Sequence, residues 1–412
     1  MTEPTCRFCR APLRLDFLDL GEQPLANSYL SQAELDAGNE RSYPLHARVC
    51  EACFLVQVDD PVAFDAIFDD HYAYFSSYSS GWVAHAKRYA EAMRTRWGLN
   101  GHSLVVEIAS NDGYLLQHFV AMGVPVLGIE PTANTAEAAI ERGVPTEVAF
   151  FNETTATDLA RRGIEADLIA ANNVLAHVPD IADFVAGFPI ILKSEGVLTF
   201  EFPHLLTQIE LIQFDTIYHE HFSYLSLLAV EKVLAANAMR AFDVELLPTH
   251  GGSLRLFCAH QGSAHAESQA LRDLRAREAA AGLATNKPYA AFAPRAAAVR
   301  DGFLAFLRNA QDEGKRVAAY GAAAKGNTFL NYAGVTADDI AAVFDANPHK
   351  QGRYLPGSHV PILPPTEVAA VRPDYLIILP WNLKAEIIEQ MATIRDWGGK
   401  FVIATPHVEI ID

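Results

Sequence analysis

Two stretches of the chain alternate short apolar runs with helical segments, and this alternation restricts the fold more than any other feature of the sequence. In the first, SLVVEIAS reads as a buried strand, DGYLLQHFVAMG as a helix, VPVLGIEP as a strand and TANTAEAAIERG as a helix. ADLIAANNVL, GVLTFEFP and LRLFCAH continue the strand series. In the second, RVAAYGAA, DIAAVFDAN, DYLIILPWN and KFVIATP are the strands. Short apolar strands alternating with helices indicate a doubly wound, mostly parallel sheet, so the fold class is α/β. A helix is expected from roughly Gly81 to Trp97, with Trp82, Val83, Ala86, Tyr89, Ala90 and Met93 at helical spacing. Residues 264–312 also read as helical, and residues 1–65 as loop-rich. The expected domains are therefore 1–65, 66–250 and 251–412.

Composition bounds the partners. The 412 residues include 32 basic and 50 acidic side chains, a net charge of -18, and half are hydrophobic. That is ordinary globular material. A surface this acidic repels phosphate backbones, so nucleic acid is not expected as a partner, while a small anion in a local basic pocket remains compatible. The opening MTEPTCRFCR lacks a basic-then-apolar signal pattern, and no apolar stretch reaches bilayer-spanning length. The expectation is a cytoplasmic protein with no membrane partner, a monomer or weak homodimer.

Four of the five cysteines form two pairs, Cys6-x-x-Cys9 and Cys50-x-x-Cys53. Two intervening residues let both sulfurs of a pair turn toward one ion, and two pairs complete a tetrahedral four-thiolate zinc site. With every position filled by protein, no place is left for a catalytic water, so the expected zinc is structural. Redox dithiols are the competing reading, but neither pair sits in a thioredoxin-like βαβ unit. The roughly 40 residues between the pairs exceed ordinary ribbon spacing. A larger loop containing LDLGEQPLANSYL must bring them together. Cys258, in LRLFCAH, reads as a buried strand residue.

The turn after the first strand of the first alternation runs Glu107-Ile108-Ala109-Ser110-Asn111-Asp112-Gly113. A dinucleotide pyrophosphate needs GxGxxG, which neither this turn nor Tyr320-Gly321-Ala322-Ala323-Ala324-Lys325-Gly326 supplies, so a nicotinamide oxidoreductase is disfavoured. S-adenosylmethionine (SAM) has no pyrophosphate. Its zwitterionic methionine suits a turn with one glycine and polar Ser110, Asn111 and Asp112 beside Gly113, with Glu107 facing the ammonium group. Glu130, followed by Pro131 at the end of the next strand, suits the ribose hydroxyls. Asn172 and Asn173 end the fourth strand at the same carboxyl edge, where ligands of such sheets bind. The expected architecture is a Rossmann-like SAM methyltransferase domain between an N-terminal zinc-binding domain and a C-terminal α/β domain.

Asp215-Thr216-Ile217-Tyr218-His219-Glu220-His221-Phe222 packs a phenol, two imidazoles and a carboxylate into four positions just past a strand end. His177 in NNVLAHVPD, and Tyr72 and Tyr74 in HYAYFSSYSS, are further candidates. Two histidines two residues apart are a weak metal signal, Glu220 alone can pair with a basic side chain, and a lone histidine is more often structural. Convergence of titratable groups on one sheet edge favours acid–base chemistry.

In chain order, the CxxC…CxxC head, YAYFSSYS, EIASNDGYLL, GIEPT, NNVLAHVPD, DTIYHEHFSYLS, THGGSLR at 249–255 and YGAAAKGNTFLNY at 320–332 complete a pattern. It resembles the three-domain SAM-dependent C-methyltransferases of nucleotide-linked 4-keto deoxysugars in antibiotic sugar pathways. The resemblance covers essentially the whole chain. It implies methylation at C3 of a thymidine-diphosphate (TDP) sugar, beside the C4 ketone. A base removes the C3 proton, a donor stabilises the enolate, and the enolate attacks the sulfonium methyl. It implies His221 as base and Tyr218 as donor near O4 or orienter, with His177 as base and His221 as donor the alternative. Glu220 would fix an imidazole tautomer, and His177 and Tyr72 would line the sugar pocket. Tyr320, Lys325 and Asn327 would contact the nucleotide, near helix N-terminal amides suited to phosphate. An O- or N-methyltransferase on the same scaffold needs no enolate donor, and a non-catalytic zinc- and SAM-binding protein needs no YHEH groups.

Overall fold

The N-terminal segment is built on strands rather than loops. A computed structural model describes residues 3–59 and 75–412, so Tyr72 and Tyr74 lie outside the described residues. Strands β1 (Leu15–Pro24), β2 (Ser42–Val49) and β3 (Val56–Val58) pair antiparallel. The β1–β2 register shifts between Asp16 and Leu18 and again between Asp19 and Glu22. Each shift moves following side chains to the opposite face, so the sequence shows no clean alternation.

The central sheet contains β4 (Val105–Ile108), β5 (Val126–Glu130), β6 (Thr146–Val148), β7 (Ala166–Asn172) and β8 (Leu192–Pro203). The short β9 (Ser223–Tyr224) leaves it to pair with β3. β10 (Met239–Leu247) and β11 (Ser253–His260) complete the order β10-β11-β8-β7-β4-β5-β6. The five strands from β4 to β8 are parallel, while β11 is antiparallel to both its neighbours. All four residues of β4 are buried, as expected where helices cover both faces. The division expected at 250/251 cuts through this sheet, because β11 is wedged between β10 and β8. Strand order reverses between β4 and β7, and the crevice beyond their carboxyl ends is where doubly wound sheets take ligands.

Helix Ser80–Trp97 covers one face of the sheet. The Ser79 hydroxyl accepts from Trp82 N–H at its start, and Gly98 closes it in the left-handed region at φ 64. Its buried residues Ala86, Tyr89, Ala90 and Met93 recur at helical spacing and pack in one cluster with Phe119, Phe242 and Phe257.

The C-terminal sheet contains β12 (Val317–Tyr320), β13 (Val343–Phe344), β14 (Ile362–Leu363), β15 (Tyr375–Ile378), β16 (Lys400–Ile403) and antiparallel β17 (Glu409–Ile411). Its order is β14-β13-β12-β15-β16-β17. The N-terminal sheet shares its core with this unit: Phe17, Leu18, Leu45 and Ala47 belong to one cluster with Phe292, Phe303, Ala319 and Leu330. Phe17 stacks on Phe292 with ring centroids 4.3 Å apart. The cysteine end of the same domain packs instead into the methyltransferase core, where Cys6, Cys50 and Cys53 join Leu225, Val230 and Leu234. Among the described residues, no helix is long and apolar enough to cross a membrane.

Candidate active site

The cysteine pairs form two matching knuckles. Arg10 N–H bonds the Cys6 carbonyl and Phe54 N–H bonds that of Cys50, with both residues in the left-handed region (φ 61 and 63). The four sulfurs lie within 4.8 Å of one another, with Cys6–Cys53 at 3.6 Å and Cys9–Cys50 at 3.4 Å. Tetrahedral Zn–S bonds of about 2.3 Å imply sulfurs about 3.8 Å apart, so the donor set fits zinc. Hydrogen bonds from Cys50 and Cys53 hold the Cys6 thiol far below its ordinary value, which favours a thiolate there.

At the carboxyl edge of the central sheet, Glu107 is buried. Burial holds its carboxyl well above the usual range, against a hydrogen bond from Tyr114. Glu130 accepts from Asn111 N–H (2.8 Å), Thr132 N–H (3.0 Å) and the Thr132 hydroxyl (2.6 Å). Asn111, at φ 48, accepts from Ser76 N–H at 2.8 Å. Asp112 pairs with Arg142 at 2.7 Å and accepts from the Ser77 hydroxyl, so the turn anchors the SSYS segment beside it. Gly113 takes φ 76, where an added Cβ would press on Val144 at 3.0 Å. Pro131 directly follows Glu130 at the strand end. Among the described residues, Glu107 Oε2, Ser110 Oγ, Asp112 Oδ1, Asn172 Oδ1 and both amide atoms of Asn173 are buried without hydrogen-bond partners. Gly128 lies against Ser110, where a Cβ would overlap the hydroxyl.

The YHEH segment folds into a turn, with His221 N–H bonded to the Tyr218 carbonyl at 2.9 Å. His221 Nδ1 lies 2.9 Å from the Thr216 carbonyl, which can only accept, so Nδ1 carries the proton. Nε2 therefore accepts from the Tyr218 hydroxyl, also at 2.9 Å. Burial, and then the neighbouring His177, keep His221 well below the ordinary histidine value. The His177 ring stands 4.6 Å from His221 at 72° and hydrogen-bonds the Glu220 backbone; burial pushes it down to about 4. The Glu220 carboxylate was expected to fix an imidazole tautomer. Instead it accepts from Asn27 at 2.6 Å, and backbone carbonyls orient the rings. His219 turns away and bonds the Pro44 carbonyl at 3.2 Å.

His250 is a site residue that sequence reasoning missed. It is a non-glycine residue at φ 53, its ring meets Trp82 edge-on at 5.3 Å, and burial pushes it down to about 4. Its signal was the THGGS run, whose Thr249 hydroxyl donates to buried Glu201 at 3.2 Å. Despite its burial, His85 and Arg255 hold that carboxylate low from 3.0 Å each.

The C-terminal residues divide. Lys325 donates to Asn382 at 2.7 Å and lies 4.5 Å over the Trp381 ring. Trp381 in turn donates to Asp215 at 2.6 Å. Burial lowers Lys325 and raises Asp215 to about 6, each opposed by the other's charge. Asn327 is buried and donates to the Ala26 carbonyl at 2.6 Å, so its amide joins domains. Tyr320 packs with Phe344 and Ile387 and donates to Gln390 at 3.1 Å, which commits its hydroxyl to the helix Lys384–Gln390. The Asn327 Oδ1 atom is buried without a hydrogen-bond partner among the described residues.

This fold, with its polar carboxyl edge and adjoining histidines, defines a SAM-dependent methyltransferase carrying an N-terminal zinc-binding domain. Family models match in sequence order: a zinc binding domain over residues 6–68, a methyltransferase domain over 82–238 and a C-methyltransferase C-terminal domain over 248–406. The C-methyltransferase NovU of Streptomyces niveus is 34% identical over 406 residues, covering 98% of this chain and 96% of NovU. The chain belongs to this C-methyltransferase family. The ubiquinone biosynthesis O-methyltransferase of Bartonella quintana (strain Toulouse) is 27% identical over 95 residues, 23% of this chain and 38% of that enzyme. Among solved structures, magnesium protoporphyrin IX methyltransferase from Synechocystis PCC 6803 with bound SAM is 14% identical, with a TM-score of 0.34, covering 44% of this chain and 80% of that one.

Proposed function

We propose that the chain methylates C3 of a TDP-linked 4-keto deoxysugar through an enolate formed at the Tyr218–His221 pair. The observation that carries this reading is the tautomer of His221, with Nδ1–H tied to Thr216 and Nε2 accepting from Tyr218. A ketone acidifies the neighbouring C–H by spreading charge onto its oxygen. The Tyr218 oxygen takes the C3 proton as its own proton passes to His221 Nε2. Burial opposes a resting imidazolium, and the negative charge growing on the enolate relieves that penalty. Acid–base help of this kind is worth roughly 10² to 10⁴ in rate. His177 borders the pair, and Tyr72 is assigned to the sugar pocket from its sequence context alone.

When bound, SAM supplies an electrophilic sulfonium methyl. Glu107, Ser110, Asn111, Asp112 and Gly113 would hold its methionine end, and Glu130, Pro131, Asn172 and Asn173 its nucleoside. Buried polar atoms demand partners, and the orphaned atoms at this edge support a polar ligand there. Lys325 is a cation held against Trp381 and Asn382, with Asp215's charge opposing the effect of its burial, and such a buried cation supports a contact with the substrate pyrophosphate. The test is mass spectrometry on a TDP-4-keto sugar deuterated at C3. A methyl gain with loss of the label is expected. A methyl gain with the label retained would mean transfer to oxygen or nitrogen and would overturn the proposal.

A further inference from the structure

The β1–β2 hairpin has two ends. Cys50 follows β2 at the metal end, while Pro24 and Ser42 pair at the other, roughly 25 Å away at strand rise. Past Pro24 the chain enters a segment fixed on both sides by the C-terminal unit. The Ala26 carbonyl accepts from Asn327 and the Tyr29 hydroxyl donates to the Ala322 carbonyl, both at 2.6 Å. Leu30 then bridges Tyr354. Between these anchors the exposed Asn27 donates to Glu220 Oε1 at 2.6 Å.

We propose that Asn27, carried by the zinc-binding domain, is a positioning residue of the methyltransferase site that holds the Glu220 carboxylate toward the substrate. This rests on the function proposed above. Glu220 sits between Tyr218 and His221, and its backbone orients His177. Among the described residues its Oε2 has no hydrogen bond, which leaves that oxygen to a hydroxyl or amino donor of the sugar. An amide donor favours the ionised carboxylate, whereas burial favours the neutral acid. The other groups around Glu220 are Tyr29 from the same loop, His177 and His221 from the methyltransferase domain, and Asp345 and Lys350 beyond Tyr29. The zinc site thus secures one end of a lever whose other end touches the chemistry.

The test compares N27A, N27D, E220Q and N27A/E220Q in the full-length, zinc-loaded protein. Without substrate, carboxyl-carbon NMR of N27A should show Glu220 titrating higher than in wild type, because the amide donor that favours the ionised carboxylate is gone. With substrate, N27A should lose about tenfold in kcat, the near-isosteric N27D more because two carboxylates then abut, and the double variant no more than E220Q. SAM affinity and zinc content should not change. An unmoved Glu220 titration, or additive losses in the double variant, would overturn the proposal. If the titration moves but wild type leaves the keto sugar unmethylated, Asn27 keeps its role and the substrate assignment fails.

Discussion

Tyr218→Phe removes one oxygen and leaves the ring, whose centroid lies 4.0 Å from that of His221. The lost hydrogen bond joins two neutral, partly buried groups, so its stability cost is about 1 kcal/mol. A domain stability of about 5–15 kcal/mol absorbs that, and the variant stays folded. The catalytic cost is larger. Without the hydroxyl, nothing links the C3 proton to His221 Nε2, and turnover should fall roughly 10² to 10⁴-fold, or about 3–5 kcal/mol in the barrier. The two effects separate cleanly in one experiment. Single-turnover mass spectrometry reads the methylated sugar, while calorimetry reads SAM affinity and thermal unfolding reads stability. Turnover within threefold of wild type, with unfolding little changed, would refute the relay.

Three further outcomes are expected. The unfolded chain protonates His177 near 6.5, whereas the folded one resists to about 4, so the unfolded state binds more protons between these values. Wild type should therefore lose stability relative to His177→Gln as pH falls from 6.5 toward 4, read by denaturant unfolding at each pH. Chelation of zinc, or Cys50→Ser, should lower folded yield and thermal midpoint together, because metal binding at a closed site is folding energy; zinc analysis with thermal unfolding checks this. In Gly251→Ala, the new Cβ overlaps the Trp381 ring and the backbone sits at φ 87. The Trp381–Asp215 bond should break, seen as changed tryptophan fluorescence and weaker substrate binding with SAM affinity retained.

Much of this was legible because parallel strands announce themselves locally. VVEI, VLGIE and VAAY are apolar apart from the two site carboxylates Glu107 and Glu130, and the helix expected from Gly81 begins at Ser80. LRLFCAH was legible as a strand of the first series with Cys258 buried in it, but its antiparallel place between β8 and β10 was not, and the division at 250/251 set it apart, since that pairing is decided far along the chain. The N-terminal strands were hidden by register shifts that break the two-residue period. In the site, the clustering of Tyr218 and His221 within four positions was legible, whereas their hydrogen bond to each other was not read from the sequence. What escaped was the backbone: the carbonyls of Thr216 and Glu220 do the orienting that a carboxylate was expected to do, and no side-chain pattern encodes them. Asn327 escaped similarly, because its partner, the Ala26 carbonyl, belongs to another domain.

Because Phe17 and its neighbours complete the apolar interior around Phe292, while the cysteine end is embedded beside Leu225 and Val230, the three sequence segments are not separable pieces. Excising the first would strip solvent cover from both of the others at once. Heating should therefore melt the molecule in one transition, and swapping a head or tail between relatives should succeed only when the matching interior surface travels with it.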